Sequence, residues 1–228
     1  MKGTLYGIGV GPGDPELLTL KAIKTIGSCG VIAVPGSGAE KQTALGIACD
    51  YIGEKPILSL DLPMTRNKSA LQYKRRLAAE AICERLDKNE NVGFLTLGDP
   101  MVYSTYSYLH SIITSRGYTA KTIPGITSFC AAAAALGQPL CEGDEGLHII
   151  PALYTDLDNA LMLDGTKVLM KSGRKLSETI DLINEKKLRA VMAQRVGMDG
   201  ERLFFNLDAV ADTEYFSIII VKGEGNEK

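Results

Sequence analysis

Four short β-rich runs, TLYGIGV, GVIAVP, PILSL and VGFLTL, are each followed by a helix-forming stretch, and this alternation constrains the fold more than any other feature. Strands that alternate with helices predict right-handed crossovers and a parallel sheet covered on both faces, so the N-terminal half reads as an α/β domain. The spacing predicts a helix from Pro15, a second through TALGIACDYI, a third from about Ser69 to Asp87 and a fourth from about Val102. Leu17, Leu18, Lys21, Ala22 and Ile26 place a mostly apolar stripe on the first, and Leu71, Ala78, Ile82 and Leu86 place another on the third. After GYTAKTIPGITSFCAAAAALG the grammar changes. Shorter strands at LHIIPA, TKVLMK, RAVMAQ, RLFF and YFSIIIV, with two or three helices among them, predict a mixed sheet in a second domain. The junction falls near residues 115–124, which divides the chain into 1–118 and 119–228. The alanine run Ala131 to Ala135 reads as a tightly packed helix.

A chain of 228 residues with 45% hydrophobic and 23% charged residues can bury a substantial core. Its formal net charge of −2 offers no general attraction for nucleic acid or an anionic membrane, so any basic function must be local. No stretch approaches the roughly 18 consecutive apolar residues of a spanning helix. The start MKGTLYGIGV reads as a strand and lacks a cleavage site, which leads us to expect a cytoplasmic protein. Cys29, Cys49, Cys83, Cys130 and Cys141 form no C-x-x-C pair and sit mostly in apolar or helical contexts, so buried free thiols are expected and no metal site. His110 and His148 are too few for a multi-histidine site, and His110 is expected to pack at a helix edge.

In GIGVGPGDPELLTLKA, Gly7, Gly9, Gly11 and Gly13 alternate before Asp14, Pro15 and Glu16. A dinucleotide fingerprint needs G-x-G-x-x-G, but the third slot is Pro12 counted from Gly7 and Asp14 counted from Gly9. A Walker A loop is excluded as well, because no Gly-Lys-Ser or Gly-Lys-Thr occurs. Asp14 suits a helix N-cap, Pro15 the first helical position, and Glu16 adds a second carboxylate there, which repels an incoming phosphate. Two readings remain: backbone brought close to a bulky ligand that is not an anion, or a turn that only caps a helix.

In VGFLTLGDPMVYSTYSYL, Gly98, Asp99 and Pro100 fall where a buried strand ends, and TIPGITSFC supplies a third turn in which Thr127 or Ser128 can cap the alanine-rich helix. Ligands of parallel sheets bind at the carboxyl ends of strands, where the first two loops lie. Asp99 also suits a helix cap.

The combination of GVGPGDPELLTLKA, LGDPMVYSTYSYL and PGITSFCAAAA, in this order, resembles the tetrapyrrole methylases, the class III S-adenosylmethionine (SAM) dependent methyltransferases. Within that family, LPMTRN and GDPMVYSTYSYL are similar to the precorrin-2 or cobalt-factor II carbon-20 methyltransferases of cobalamin synthesis. The resemblance covers essentially the whole chain. It implies a two-domain α/β homodimer with a parallel-sheet N-terminal and a mixed-sheet C-terminal domain, SAM in the cleft between domains, and the macrocycle in a trough lined by the glycine loop. Carried over position by position, SAM contacts fall at Pro12, Leu97, Gly98, Asp99, Val102, Tyr103, Ser104, Thr127 and Ser128, and in the second domain at Met170, Lys171 and Val196. The implied reaction is in-line methyl transfer to a tetrapyrrole carbon, leaving S-adenosylhomocysteine, with Asp99 hydrogen-bonding the amino-acid end of SAM. Asp14, Tyr103 and Tyr106 are candidates for acid/base or substrate-orienting work, with Asp14 first.

A tetrapyrrole carries many carboxylates and asks for local positive charge. MTRNKSALQYKRR concentrates Arg66, Lys68, Lys74, Arg75 and Arg76 without an acidic residue. Arg66 and Lys68 are expected to contact substrate, and the other three to form a solvated helix face. Three rival readings stay open. A different family acceptor is one, such as uroporphyrinogen III or another corrin position; the protein substrate of diphthine synthases is the second. The third is a non-catalytic nucleotide-binding regulatory domain.

Overall fold

The computed structural model describes residues 2–36, 39–63, 65, 67–210 and 216–223. The chain divides into two compact units, Met1–Thr127 and Ser128–Lys228.

The first unit runs β1 (Thr4–Gly9), α1 (Leu20–Ser28), β2 (Val31–Pro35), α2 (Ala39–Ile52), β3 (Ile57–Leu60), α3 (Lys68–Asp87), β4 (Val92–Thr96), α4 (Tyr106–Ser115) and β5 (Thr119–Ile123). All neighbouring strands pair in parallel, in the order β3-β2-β4-β1-β5. Strand periodicity sends alternate side chains to opposite faces. Leu5, Val31, Ala33, Val92 and Phe94 join Ala78, Ile82 and Leu86 of α3 and Leu109 and Ile113 of α4. Ile8, Ile32, Val34 and Leu95 join Ala22 and Ile26 of α1 and Ala44, Ile47 and Ala48 of α2. Each fully buried Leu or Ile contributes about 1.5–3 kcal/mol, so both faces are firmly covered.

Two predicted helices start later than the sequence spacing predicts. Pro15–Leu17 is a single 3₁₀ turn, and α1 begins only at Leu20, with Thr19 Oγ1 accepting from Ala22 N–H at 3.1 Å. The helix expected from Val102 starts at Tyr106, because Tyr103 has φ 49°, which no right-handed helix accepts.

The second unit opens on α5 (Ser128–Leu136), followed by β6 (Leu147–Pro151), α6 (Leu157–Leu161), β7 (Thr166–Met170), α7 (Leu176–Glu185), β8 (Ala190–Gln194), β9 (Arg202–Phe204) and β10 (Ser217–Val221). The order is β6-β7-β10-β8-β9, with β6 and β7 parallel and the remaining pairs antiparallel, so the sheet is mixed as predicted. Ala132 and Leu136 of α5 pack with Val168, Ala193, Ile218 and Ile220 on one face. Leu176, Ile180 and Ile183 of α7 pack with Leu169, Met192 and Ile219 on the other.

The division expected at 118/119 falls too early. β5 pairs with β1 from Thr4↔Thr119 to Ile8↔Ile123, which commits it to the first sheet, whereas α5 spends its alanine face on the second. The turn Pro124–Thr127 therefore lies at the end of the first unit. No helix among the described residues is long and apolar enough to cross a membrane.

Candidate active site

β1 and β4 are neighbours, yet the helices that follow them cover opposite faces of the sheet. In parallel sheets, loops that diverge in this way mark the ligand crevice at the carboxyl edge. The glycine loop after β1 and the Gly-Asp-Pro loop after β4 meet there. Gly98 N–H donates to Gly11 O at 2.7 Å, Gly11 N–H donates to Gly98 O at 3.3 Å, and Val10 N–H donates to Thr96 O at 2.9 Å.

The alternating glycines serve packing. A Cβ on Gly7 would land in the Tyr106 ring, and one on Gly9 would lie 2.6 Å from Gly98 O and against the Gly125 backbone. Gly11 and Gly98 take φ 79° and 71°, conformations that side chains resist. Gly125 completes the knot, since a Cβ there would strike Gly98 O and the Gly9 backbone. The turns after β1, β4 and β5 are thus packed backbone on backbone.

Asp99 ties this knot. Its Oδ1 accepts from Met101 N–H at 2.8 Å and its Oδ2 from Gly125 N–H at 3.0 Å. Asp14 caps the 3₁₀ turn, its Oδ1 accepting from Glu16 N–H at 2.8 Å. Directly behind the glycine loop stands a 3₁₀ turn, Pro15–Leu17, and the first α-helix begins only at Leu20.

Beyond the knot, Pro12 and Gly98 are buried, and Leu97, Val102, Ser104, Thr127 and Ser128 are partly buried. Thr127 Oγ1 itself is buried and has no hydrogen-bond partner among the described residues. Ser104 Oγ accepts from Tyr106 N–H at 3.1 Å and lies 3.5 Å from Thr96 Oγ1, which anchors the chain directly after the left-handed Tyr103. The Tyr103 side chain is exposed at 46%.

Tyr106 departs from its expected role as a substrate contact. It is fully buried, its hydroxyl donates to Lys121 O at 2.8 Å, and its ring occupies the space left by Gly7. Tyr106 is a core residue of the first unit. Lys68 opens α3 and is exposed; Arg66 lies outside the described residues. Lys74 pairs with Asp61, and the Arg75 guanidinium stacks 3.4 Å from the centroid of the Tyr108 ring, so these two helix cations are engaged with neighbours and not simply solvated.

In the second unit, β7 and β8 both run antiparallel to β10 between them, so Met170, Lys171 and Val196 emerge at one edge of the sheet. Lys171 and Arg195, each directly after a strand, take φ 58° and 51°. Ser172 Oγ is buried there without a partner among the described residues, a position that sequence spacing does not single out. Each histidine has a neighbour in its own unit: His110 meets the Tyr106 ring edge-on, and His148 Nε2 lies 2.8 Å from Asp164 O. All five cysteines are free thiols as expected, but only Cys29 and Cys83 are buried, while Cys49, Cys130 and Cys141 are exposed.

Fold and site together define an α/β protein whose glycine, Gly-Asp-Pro and Pro-Gly turns meet at the carboxyl edge of a parallel sheet, where proteins of this class bind ligands. The profile of the Tetrapyrrole (Corrin/Porphyrin) Methylases matches residues 4–211, and the chain belongs to that family. It is 35% identical over 224 residues to the probable cobalt-precorrin-2 C(20)-methyltransferase of Methanocaldococcus jannaschii, covering 96% of this chain and 95% of that protein. It is 33% identical over 236 residues to cobalamin biosynthesis protein CobIJ of Mycobacterium tuberculosis (strain ATCC 25618 / H37Rv), covering 97% of this chain but 46% of CobIJ. The chain therefore spans about half the length of that relative. Among solved structures, the uroporphyrin-III C-methyl transferase of Thermus thermophilus complexed with S-adenyl homocysteine matches with a TM-score of 0.71 at 19% identity, covering 97% of this chain and 98% of that one, a likeness of fold.

SAM fits the residues present. Thr127 offers a buried hydroxyl with no partner among the described residues, and the glycine knot presents backbone close to the edge.

Proposed function

We propose that this protein transfers a methyl group from SAM to carbon 20 of precorrin-2 or cobalt-factor II, acting as a homodimer in the cytoplasm. The observation that carries the cosubstrate assignment is the buried Thr127 hydroxyl, which has no partner among the described residues, beside the glycine knot. The near full-length similarity to a relative named for carbon 20 supports the acceptor.

Pro12, Leu97, Gly98, Val102, Tyr103, Ser104 and Thr127 of the first unit, with Ser128, Met170, Lys171 and Val196 of the second, are the proposed SAM contacts. SAM supplies an electrophilic methyl on a sulfonium, which needs no nucleophile from the protein. The chain's task is therefore to orient, and positioning by rigid loops supplies up to about 7–11 kcal/mol of the barrier. Backbone carbonyls at the strand ends favour the polarised methyl C–H groups. Asp14 keeps Oδ2 without a partner among the described residues and is the proposed acceptor for the proton that leaves carbon 20. Tyr103, held in a left-handed conformation with its ring exposed, orients the macrocycle. Arg66 and Lys68 meet its carboxylates.

An anaerobic turnover assay with SAM tests the reading, offering sirohydrochlorin with and without cobalt beside uroporphyrinogen III and locating the new methyl by mass and NMR. Methylation at carbon 20 is the expected result, and the preferred metal state selects the route. Transfer to uroporphyrinogen III alone would replace the acceptor, and SAM binding without transfer would point to a regulatory role.

A further inference from the structure

We propose that Asp99 is a positioning residue that sets the Gly125–Thr127 segment for SAM, and is not itself a SAM ligand; this rests on the functional reading above. Both carboxylate oxygens are engaged: Oδ1 takes the Met101 N–H at 2.8 Å within its own turn, and Oδ2 takes the Gly125 N–H at 3.0 Å from the turn after β5. The Asp99 backbone carbonyl accepts from Val102 N–H at 3.2 Å, with Pro100 at the second position of that turn, so the side chain is held at its root as well as its tip.

The residue type follows from this geometry. One N–H donor on each oxygen of a short side chain calls for a carboxylate, which at this length is aspartate. Asparagine has one acceptor, and its amide would face one of the two donors with another N–H. Gly125 in turn fits only without a Cβ, because Gly98 O and the Gly9 backbone already occupy that space. Asp99 thus fixes the residue that locks the third turn onto the first two. Thr127 follows two residues later with its hydroxyl buried and unpartnered among the described residues. The chain of effect runs from the Asp99 carboxylate to the Gly125 amide to the Thr127 hydroxyl.

A double-mutant cycle tests this, with calorimetric affinity for S-adenosylhomocysteine as the readout in the full chain. Asp99→Asn and Thr127→Val are each expected to weaken binding roughly tenfold, the scale of one lost hydrogen bond in a buried setting. The double variant is expected to bind no more weakly than Thr127→Val alone, and Thr127→Ser is expected to restore the sensitivity to Asp99→Asn. Losses that multiply to about a hundredfold in the double variant, or unchanged affinity in Asp99→Asn, would overturn the proposal while leaving the functional reading intact. Failure of the wild-type chain to bind S-adenosylhomocysteine would overturn both. Amide hydrogen exchange of wild-type Gly125 adds a measurement independent of any variant's folding: slow exchange is expected, and fast exchange would show that the clamp does not exist.

Discussion

Gly7, Gly9 and Gly11 answer to three different neighbours: an aromatic ring, a pair of backbone turns, and the chain's own left-handed bend. The alternation was plain in the sequence, but its reason was not, since Tyr106 and Gly125 lie far along the chain from the glycines they cover. The same distance explains why Tyr106 reads as a substrate contact in sequence. A tyrosine at the start of a helix near a motif looks available for chemistry until the position of Gly7 is known. Burial also decides the behaviour of Cys29, whose thiol is pushed up to about 11 by desolvation. A pKa raised in the folded state contributes stability that is present in full below the ordinary thiol value near ~8.5 and is lost as pH rises through about 11. Cys29→Ala should flatten that alkaline loss in a chemical-denaturation series between pH 8 and 11. A slope that persists unchanged would assign the loss to other groups.

Elements were legible where a hydrophobic period repeats and less so where a single residue interrupts it. Nine of the ten strands among the described residues fall within the predicted runs, because burial on a two-residue period leaves its mark in sequence; β5 (Thr119–Ile123), with the weaker pattern TAKTI, does not. The late start of α4 was hidden, since nothing about tyrosine announces a positive φ. The glycine knot is also an element-scale device, because three strand ends share it. Gly9→Ala places a methyl 2.6 Å from Gly98 O with no room in the backbone around it. Overpacking of this kind costs about 1–3 kcal/mol, so the midpoint of urea unfolding should fall with little change in slope. SAM affinity should fall with it. A wild-type midpoint would mean that the turns after β1, β4 and β5 are looser than their packing indicates.

For the whole molecule, a formal net charge of −2 gives the polycarboxylate substrate proposed above no long-range attraction, so under that proposal recognition would rest on local cations such as Lys68. The kcat/KM for the tetrapyrrole should therefore change less than about threefold between roughly 50 and 300 mM salt, whereas steered association falls steeply over that range. A steep fall would reveal a concentrated positive surface. The sequence by itself determined the α/β class, the mixed second sheet and the family, because each depends on local periodicity or on the order of a few residues along the chain. Only the tertiary structure decided that the division follows Thr127 and not residue 118, that Tyr106 is core, and that Asp99 spans two turns. Those facts depend on which strand a segment pairs with and which backbone a side chain reaches, and such contacts join residues that are remote in sequence.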